Sequence, residues 1–143
     1  MIIRNDTQND TVLWDNGKER LYIFEIPPEN CYCYIADQPC ITVGFGYENA
    51  KYKGEDVFTF FGEQYLELCN KIAAACRDLN GSFRLYDMGG DTDGYIDIAM
   101  TTNGKAEVSG RLGASFYRYS LQFELAFGAD QTLLQLLLQS LKI

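Results

Sequence analysis

The sequence predicts an α+β fold: a mainly antiparallel β-sheet of about seven to nine strands, strongly twisted or sandwich-like, with one long central helix and one C-terminal helix packed on it. Several stretches alternate between apolar and polar residues, as half-buried antiparallel strands do. Two longer stretches repeat apolar residues at helical spacing. These helical stretches follow runs of strands rather than alternating with single strands, which favours an antiparallel over a parallel sheet.

The segment 105–143 carries the most regular pattern in the chain. Apolar and polar residues alternate over 105–112 and again over 116–127, which predicts two long strands. We expect Gly128 to end the second strand and Asp130 to accept hydrogen bonds from free N–H groups in the first turn of the next helix. That helix should pack on the sheet through an apolar stripe made of Leu133, Leu134, Leu137, Leu138 and Leu141.

The rest of the chain supplies shorter strands and the central helix. The first two strands flank Asn16 and Gly17, a strong hairpin signal, and the second should be covered on both faces. The central helix is predicted over about 61–79, because apolar residues there follow a 3.6-residue period. Residues 50–56 are expected to form a charged loop, and residues 87–94 an acidic glycine loop. The predicted short strands are 12–14, 20–26, 31–35, 40–47, 57–60, 82–86 and 95–101.

Composition indicates a single globular domain, 1–143, with a true hydrophobic core, since 47% of the 143 residues are hydrophobic. The net charge of −8 argues against nucleic acid or an anionic membrane as a direct partner and favours a basic protein. Ordinary solubility is the alternative explanation for this acidity.

No apolar leader or membrane-length segment is apparent, and an odd count of five cysteines favours reduced thiols. We therefore expect a cytoplasmic protein.

The chain contains no histidine. This excludes Ser-His-Asp and Cys-His catalysis, histidine general bases and zinc sites that use histidine. Cys31, Cys33 and Cys40 do not have the spacing of structural zinc ligands, and Cys69 and Cys76 lie in the apolar stripe of the central helix. We expect no enzymatic activity, no cofactor and no metal site.

The densest group of carboxylates lies between two predicted strands, at Asp87, Asp91, Asp93 and Asp97. A calcium loop of the EF-hand type that starts at Asp91 would need a glutamate at its twelfth position, where the sequence has threonine. A solvated turn is therefore the simpler interpretation. A small-ligand or cation-binding module that uses the loop 87–93 remains the alternative function.

Two acidic loops flanked by tyrosines form the candidate partner-binding surface. Tyrosine rings contribute contact area and carboxylates attract a basic partner, while ordinary exposed loops are the alternative explanation. The candidate residues are Glu48, Tyr52, Glu55, Asp56, Tyr86, Asp87, Asp91, Asp93 and Tyr95.

Five motifs follow one another in the second half of the chain, over roughly 57–143. They are the helix end Ala-Cys-Arg-Asp-Leu-Asn-Gly at 75–81, the strand pair around Asn103 and Gly104, Glu-Val-Ser-Gly-Arg at 107–111, Leu-Gln-Phe-Glu-Leu at 121–125, and Asp-Gln-Thr-Leu at 130–133. In this order they resemble the WapI family of bacterial immunity proteins.

The resemblance implies a small cytoplasmic antitoxin that binds the C-terminal toxin domain of a secreted polymorphic toxin and blocks its active site or its access to substrate. Toxin domains of this kind are often basic nucleases, and an acidic inhibitor would associate with them rapidly. The resemblance implies no catalytic residues and supplies no set of interface residues, so the candidate surface depends on the acidic loops alone.

Overall fold

The computed structural model describes residues 10–26, 40–101, 104–113 and 123–141, and for 123–127 the backbone alone. The strand predicted over 31–35 and the beginning of the strand predicted over 116–127 lie outside these ranges. Within them the chain forms eight strands and two helices, which confirms the predicted α+β class. The strands are β1 (Thr11–Asp15), β2 (Glu19–Glu25), β3 (Cys40–Asn49), β4 (Lys53–Phe61), β5 (Ser82–Tyr86), β6 (Tyr95–Met100), β7 (Lys105–Leu112) and β8 (Phe123–Asp130), and the helices are α1 (Gly62–Asp78) and α2 (Thr132–Ser140).

The strands form two four-stranded sheets, each in sequence order. Strands β1 to β4 make the N-terminal sheet and β5 to β8 make the C-terminal sheet, with every neighbouring pair antiparallel. Side chains from both sheets and both helices form one hydrophobic core. The rings of Phe45, Phe58 and Phe60 lie at its centre, fully buried and in mutual contact.

The N-terminal sheet is covered on both faces, as predicted for β2. Leu21 and Ile23 face the main core, while Tyr22 and Phe24 belong to a second buried cluster on the opposite face. Tyr22 lies directly across from Gly46, and Phe24 from Gly44. A Cβ atom on either glycine would fall 2.2 Å from the opposing ring, so the aromatic rings occupy the space that the glycines leave.

The C-terminal sheet has one buried face and one polar face. Strand β7 alternates strictly at first, with Ala106 and Val108 buried and Lys105 and Glu107 exposed, which confirms its predicted pattern. The polar outer face of this sheet carries the candidate site.

Two turns close the hairpins of the N-terminal sheet. The first is the predicted Asn-Gly turn, in which Gly17 has a φ of 83° and the side chain of Asn16 accepts N–H groups from Lys18 and Glu19. In the second, Asn49 Oδ1 accepts the N–H groups of Lys51 and Tyr52.

The structure corrects two predicted element boundaries. The charged loop expected over 50–56 is shorter, because β4 already begins at Lys53, which pairs with Glu48. Gly128 does not end the last strand, because pairing with β7 continues until Asp130 lies opposite Lys105.

Both helices lie close to their predicted positions. Helix α1 ends at Asp78, and the next residue, Leu79, takes a left-handed conformation with a φ of 54°. Helix α2 begins at Thr132, whose N–H donates to the Asp130 carboxylate at 3.0 Å, as predicted. The Thr132 hydroxyl also donates to Asp130, and this side-chain hydrogen bond, together with the backbone one, lowers the pKa of Asp130. The helices are joined by the buried Tyr65 hydroxyl, which donates to the Leu141 carbonyl at 2.6 Å.

Among the described residues, no helix is both long enough and apolar enough to cross a membrane.

Candidate functional site

The loop between β5 and β6, residues 87–94, is organised by the buried carboxylate of Asp87. Its Oδ1 accepts the N–H groups of Thr59 at 2.9 Å and Gly89 at 3.2 Å, and its Oδ2 accepts the N–H of Asp91 at 2.7 Å. Met88 then donates its N–H to the carbonyl of Thr59 at 3.0 Å. The beginning of the loop therefore pairs with the edge of β4, where backbone groups would otherwise lack a strand partner.

A second inward-facing carboxylate, Asp56 of β4, holds the end of the same loop. This fully buried side chain accepts the Thr92 hydroxyl at 3.0 Å and the N–H of Gly113 at 2.7 Å. A Cβ on Gly94 would lie 2.4 Å from Asp56 Oδ2, so glycine lets the loop approach the carboxylate. Asp56 thus joins β4, the loop and the end of β7.

The burial of these two carboxylates corrects the prediction that they belong to an exposed acidic patch. Asp56 is 0% exposed and Asp87 is 7% exposed, because both carboxylates are used to satisfy backbone and hydroxyl donors. Neither can present charge to a partner. The exposed carboxylates of the loop are Asp91 and Asp93, which have no hydrogen-bond or ion-pair partner among the described residues.

Beside the loop, the outer face of the C-terminal sheet carries a row of aromatic and basic side chains. In the strand register, Tyr86 of β5 lies opposite Tyr95 of β6, and Tyr95 lies opposite Arg111 of β7. The guanidinium carbon of Arg84 lies 4.1 Å from the centre of the Tyr95 ring, and that of Arg111 lies 6.0 Å from it. Arg84 also donates two hydrogen bonds to Asp97, at 2.7 and 2.8 Å.

The row and the loop together enclose an open recess of about 390 Å³. Its sheet side is formed by Arg84, Tyr86 and Tyr95, and its loop side includes Thr92, Asp93 and Gly94. Tyrosine and arginine are the residue types most often found at the energetic centres of protein interfaces. We call this surface the tyrosine recess.

The remaining candidate residues lie on the N-terminal sheet and do not line the recess. Glu48 forms an ion pair with Arg20 at 2.7 Å, and Glu55 accepts the Tyr22 hydroxyl at 2.5 Å. Tyr52 is 57% exposed at the turn between β3 and β4. The structure therefore brings Tyr86, Tyr95, Asp87 and Asp93 together on one lining, with Asp91 in the same loop and Asp56 holding the end of that loop. It leaves Glu48, Tyr52 and Glu55 outside this site.

Sequence reasoning missed two arginines: Arg84, which lines the recess, and Arg111, which approaches the Tyr95 ring from outside the lining. The alternating pattern places Arg84 on the same face as Tyr86, and Arg111 on the outer face of β7. Only the register between strands shows that both guanidinium groups approach the same ring. The sequence pattern predicts the face of a residue but not its cross-strand neighbour.

The cysteines correct one prediction and confirm another. Cys40 is disulfide-bonded, so the expectation of reduced thiols is wrong for this residue. Cys69 and Cys76 are free, and both pack in or against the core as predicted. Burial raises the pKa of Cys69 to about 11, which keeps it in the unreactive thiol form at neutral pH.

No cluster of three or more potential metal-ligating carboxylates or thiols is present among the described residues. A scan against protein-family models finds no match, and neither do searches of curated proteins and of solved structures. The resemblance to the WapI family accordingly stays a prediction.

Proposed function

We propose that this protein is an immunity protein, which binds the cognate C-terminal toxin domain of a secreted bacterial polymorphic toxin and neutralises it as a stoichiometric complex. The observation that carries this proposal is the tyrosine recess, where Tyr86, Tyr95 and Arg84 share one lining with the exposed carboxylate of Asp93. A second exposed carboxylate, that of Asp91, lies in the same loop. Amphipathic rings beside unpaired charge suit recognition of another protein. In this proposal the chain has no enzymatic activity of its own.

The charge of the chain supports a basic partner. A net charge of −8 creates a long-range field that attracts a positively charged toxin domain and accelerates encounter at low salt. Nucleic acid and anionic membranes carry the same sign as the chain and are not proposed as direct partners.

A cytoplasmic location belongs to the same proposal, because an immunity protein must meet toxin that has entered the cell or has not yet left it. The disulfide at Cys40 argues in the opposite direction, since disulfides are rare in reducing compartments. Fractionation of the producing cells, with thiol labelling of Cys40, would decide between the two.

The proposal is tested by co-expressing the chain with the toxin domain encoded beside it and measuring cell growth. Growth should be restored, and a complex of the two proteins should elute together from a sizing column. The double substitution Asp91→Asn with Asp93→Asn should weaken protection. A matched control, Glu63→Gln with Glu67→Gln, removes the same charge from the exposed side of α1 and should protect fully. If the wild-type chain gave no protection and formed no complex, the proposal would be refuted.

The alternative of a cation-binding loop over 87–93 is less favoured, because one of its three carboxylates is already engaged by the protein itself. Asp87, its most central carboxylate, already accepts three backbone N–H groups. A calorimetric titration with calcium should therefore give no binding heat.

A further inference from the structure

We infer that the tyrosine recess receives one basic side chain, an arginine or a lysine, from the protein partner, with Asp93 as its counter-charge and the Tyr86 ring as its contact surface. This inference rests on the proposed function and deepens it, because it identifies the chemistry of the contact. Three features support it: the charge on the lining of the recess, the Tyr86 ring, which has no cation over it among the described residues, and the fixed loop that carries Asp93.

The charge in the recess selects a cation. Arg84 is the basic group on its lining, but its guanidinium is already paired with Asp97 through two hydrogen bonds and stacks on Tyr95. Asp93, on the loop that lines the recess, is exposed and without a partner among the described residues. Asp87 also lies on the lining, where it is held by backbone N–H groups, whereas Arg111 approaches the Tyr95 ring from outside the lining. Among the lining residues the charge left without an ionic partner is therefore negative.

The two tyrosine rings of the recess differ in what already contacts them. Tyr95 has a guanidinium over its ring, whereas Tyr86 has no such contact with any described residue and is half-buried. A half-buried ring beside a carboxylate attracts an incoming cation through its π face and through the charge together. The aliphatic part of an arginine or lysine side chain would cover the rest of the ring.

The loop that carries Asp93 is held in place before any partner arrives. Thr92 donates its hydroxyl to Asp56 and accepts the N–H of Gly94 at 3.1 Å, so the residues on both sides of Asp93 are fixed. Because the backbone does not need to be ordered on binding, little conformational entropy is lost.

The inference is tested by an amide NMR titration of the whole protein with N-acetyl-arginine amide at low salt. Saturable shifts should be confined to residues of the recess, and the neutral isostere N-acetyl-citrulline amide should produce none. Asp93→Asn should weaken arginine binding by about fivefold, the upper range for an exposed ion pair. Glu107→Gln, which removes an exposed charge from the same sheet but outside the recess lining, should leave binding unchanged.

Absence of saturation, equal binding of the citrulline compound, or shifts spread over all exposed carboxylates would each overturn the inference. Cell protection in the co-expression experiment alongside such a result would leave the proposed function standing without this contact. Binding of the arginine compound without protection by the wild-type chain would instead refute the proposed function.

Discussion

Two inward-facing carboxylates, those of Asp56 and Asp87, determine the shape of the loop 87–94. They accept five hydrogen bonds from Thr59, Gly89, Asp91, Thr92 and Gly113, which belong to three separate parts of the chain. A buried carboxylate that satisfies several donors fixes its surroundings strongly, because removing it leaves those donors without acceptors. The recess above the loop depends on these contacts.

Replacement of Asp56 by alanine should lower the free energy of unfolding by about 1–3 kcal/mol, because the Thr92 hydroxyl and the Gly113 N–H lose their acceptor. Urea unfolding followed by circular dichroism measures this change. Asp91→Ala is the matched control, since that exposed side chain has no partner among the described residues, and its effect should stay within about 0.5 kcal/mol. Equal stability of the two variants would contradict the assigned role of Asp56.

Leu79 is the one described non-glycine residue with a positive φ, 54°. A left-handed conformation costs a residue with a Cβ roughly 1–2 kcal/mol, and glycine avoids this cost. Leu79→Gly should therefore raise the free energy of unfolding by about 0.5–1 kcal/mol, after the entropic cost of glycine is subtracted. Leu66→Gly, at an exposed position within α1, should have the opposite sign. A destabilised Leu79→Gly variant would show that the contacts of the leucine outweigh the strain.

At the scale of elements, antiparallel register decides which residues meet. The sequence predicts strands, their inner and outer faces and two helices from local pattern, and within the described residues the structure confirms both helices and the alternation of β7, with corrected bounds for β4 and β8. Pattern does not fix the partner of each residue across a strand pair, so the approach of Arg84 and Arg111 to Tyr95 could not be predicted. Burial of Asp56 also escaped prediction, because its donors come from distant positions 92 and 113.

The close packing of aromatic rings on strand glycines can be tested at Gly44. A Cβ there would lie 2.2 Å from the Phe24 ring, so Gly44→Ala should destabilise the protein by about 1–3 kcal/mol through forced displacement of that ring. Gly128→Ala is the control, because the nearest atom to its Cβ is 4.0 Å away and its φ is not positive. That variant should be neutral or slightly stabilised. Thermal unfolding of both variants compares them, and similar melting temperatures would contradict the tight packing.

The link between the two helices gives a pH-dependent prediction. Tyr65→Phe removes the hydrogen bond to Leu141 and should cost about 1 kcal/mol at neutral pH. Burial raises the pKa of Tyr65 to about 12, above the value of an unfolded tyrosine near about 10. The stability that the neutral hydroxyl provides is therefore complete below pH ~10 and is lost as the pH rises through the folded pKa.

The difference in unfolding free energy between wild type and Tyr65→Phe should accordingly shrink between pH ~10 and pH ~12. Urea unfolding at a series of pH values measures it. A difference that stays constant over this range would show that the Tyr65 hydroxyl is not buried.

At the scale of the whole molecule, the main core supports both sheets and leaves the outer face of the C-terminal sheet polar, beside an ordered acidic loop. The net charge of −8 follows from composition alone, and it indicates the sign of a partner's charge but not where the partner makes contact. The structure separates the sequence-predicted surface into the tyrosine recess and the turn at Tyr52, which does not line it. This separation makes the proposed mode of binding testable by substitution.

The most direct test is a calorimetric titration of the toxin domain with wild type, Tyr86→Ala and Tyr52→Ala proteins. We predict a one-to-one complex, a loss of about 2 kcal/mol or more of binding free energy for Tyr86→Ala, and no change for the exposed Tyr52→Ala control. Absence of binding by the wild type, or a loss at Tyr52 with none at Tyr86, would contradict binding through the tyrosine recess.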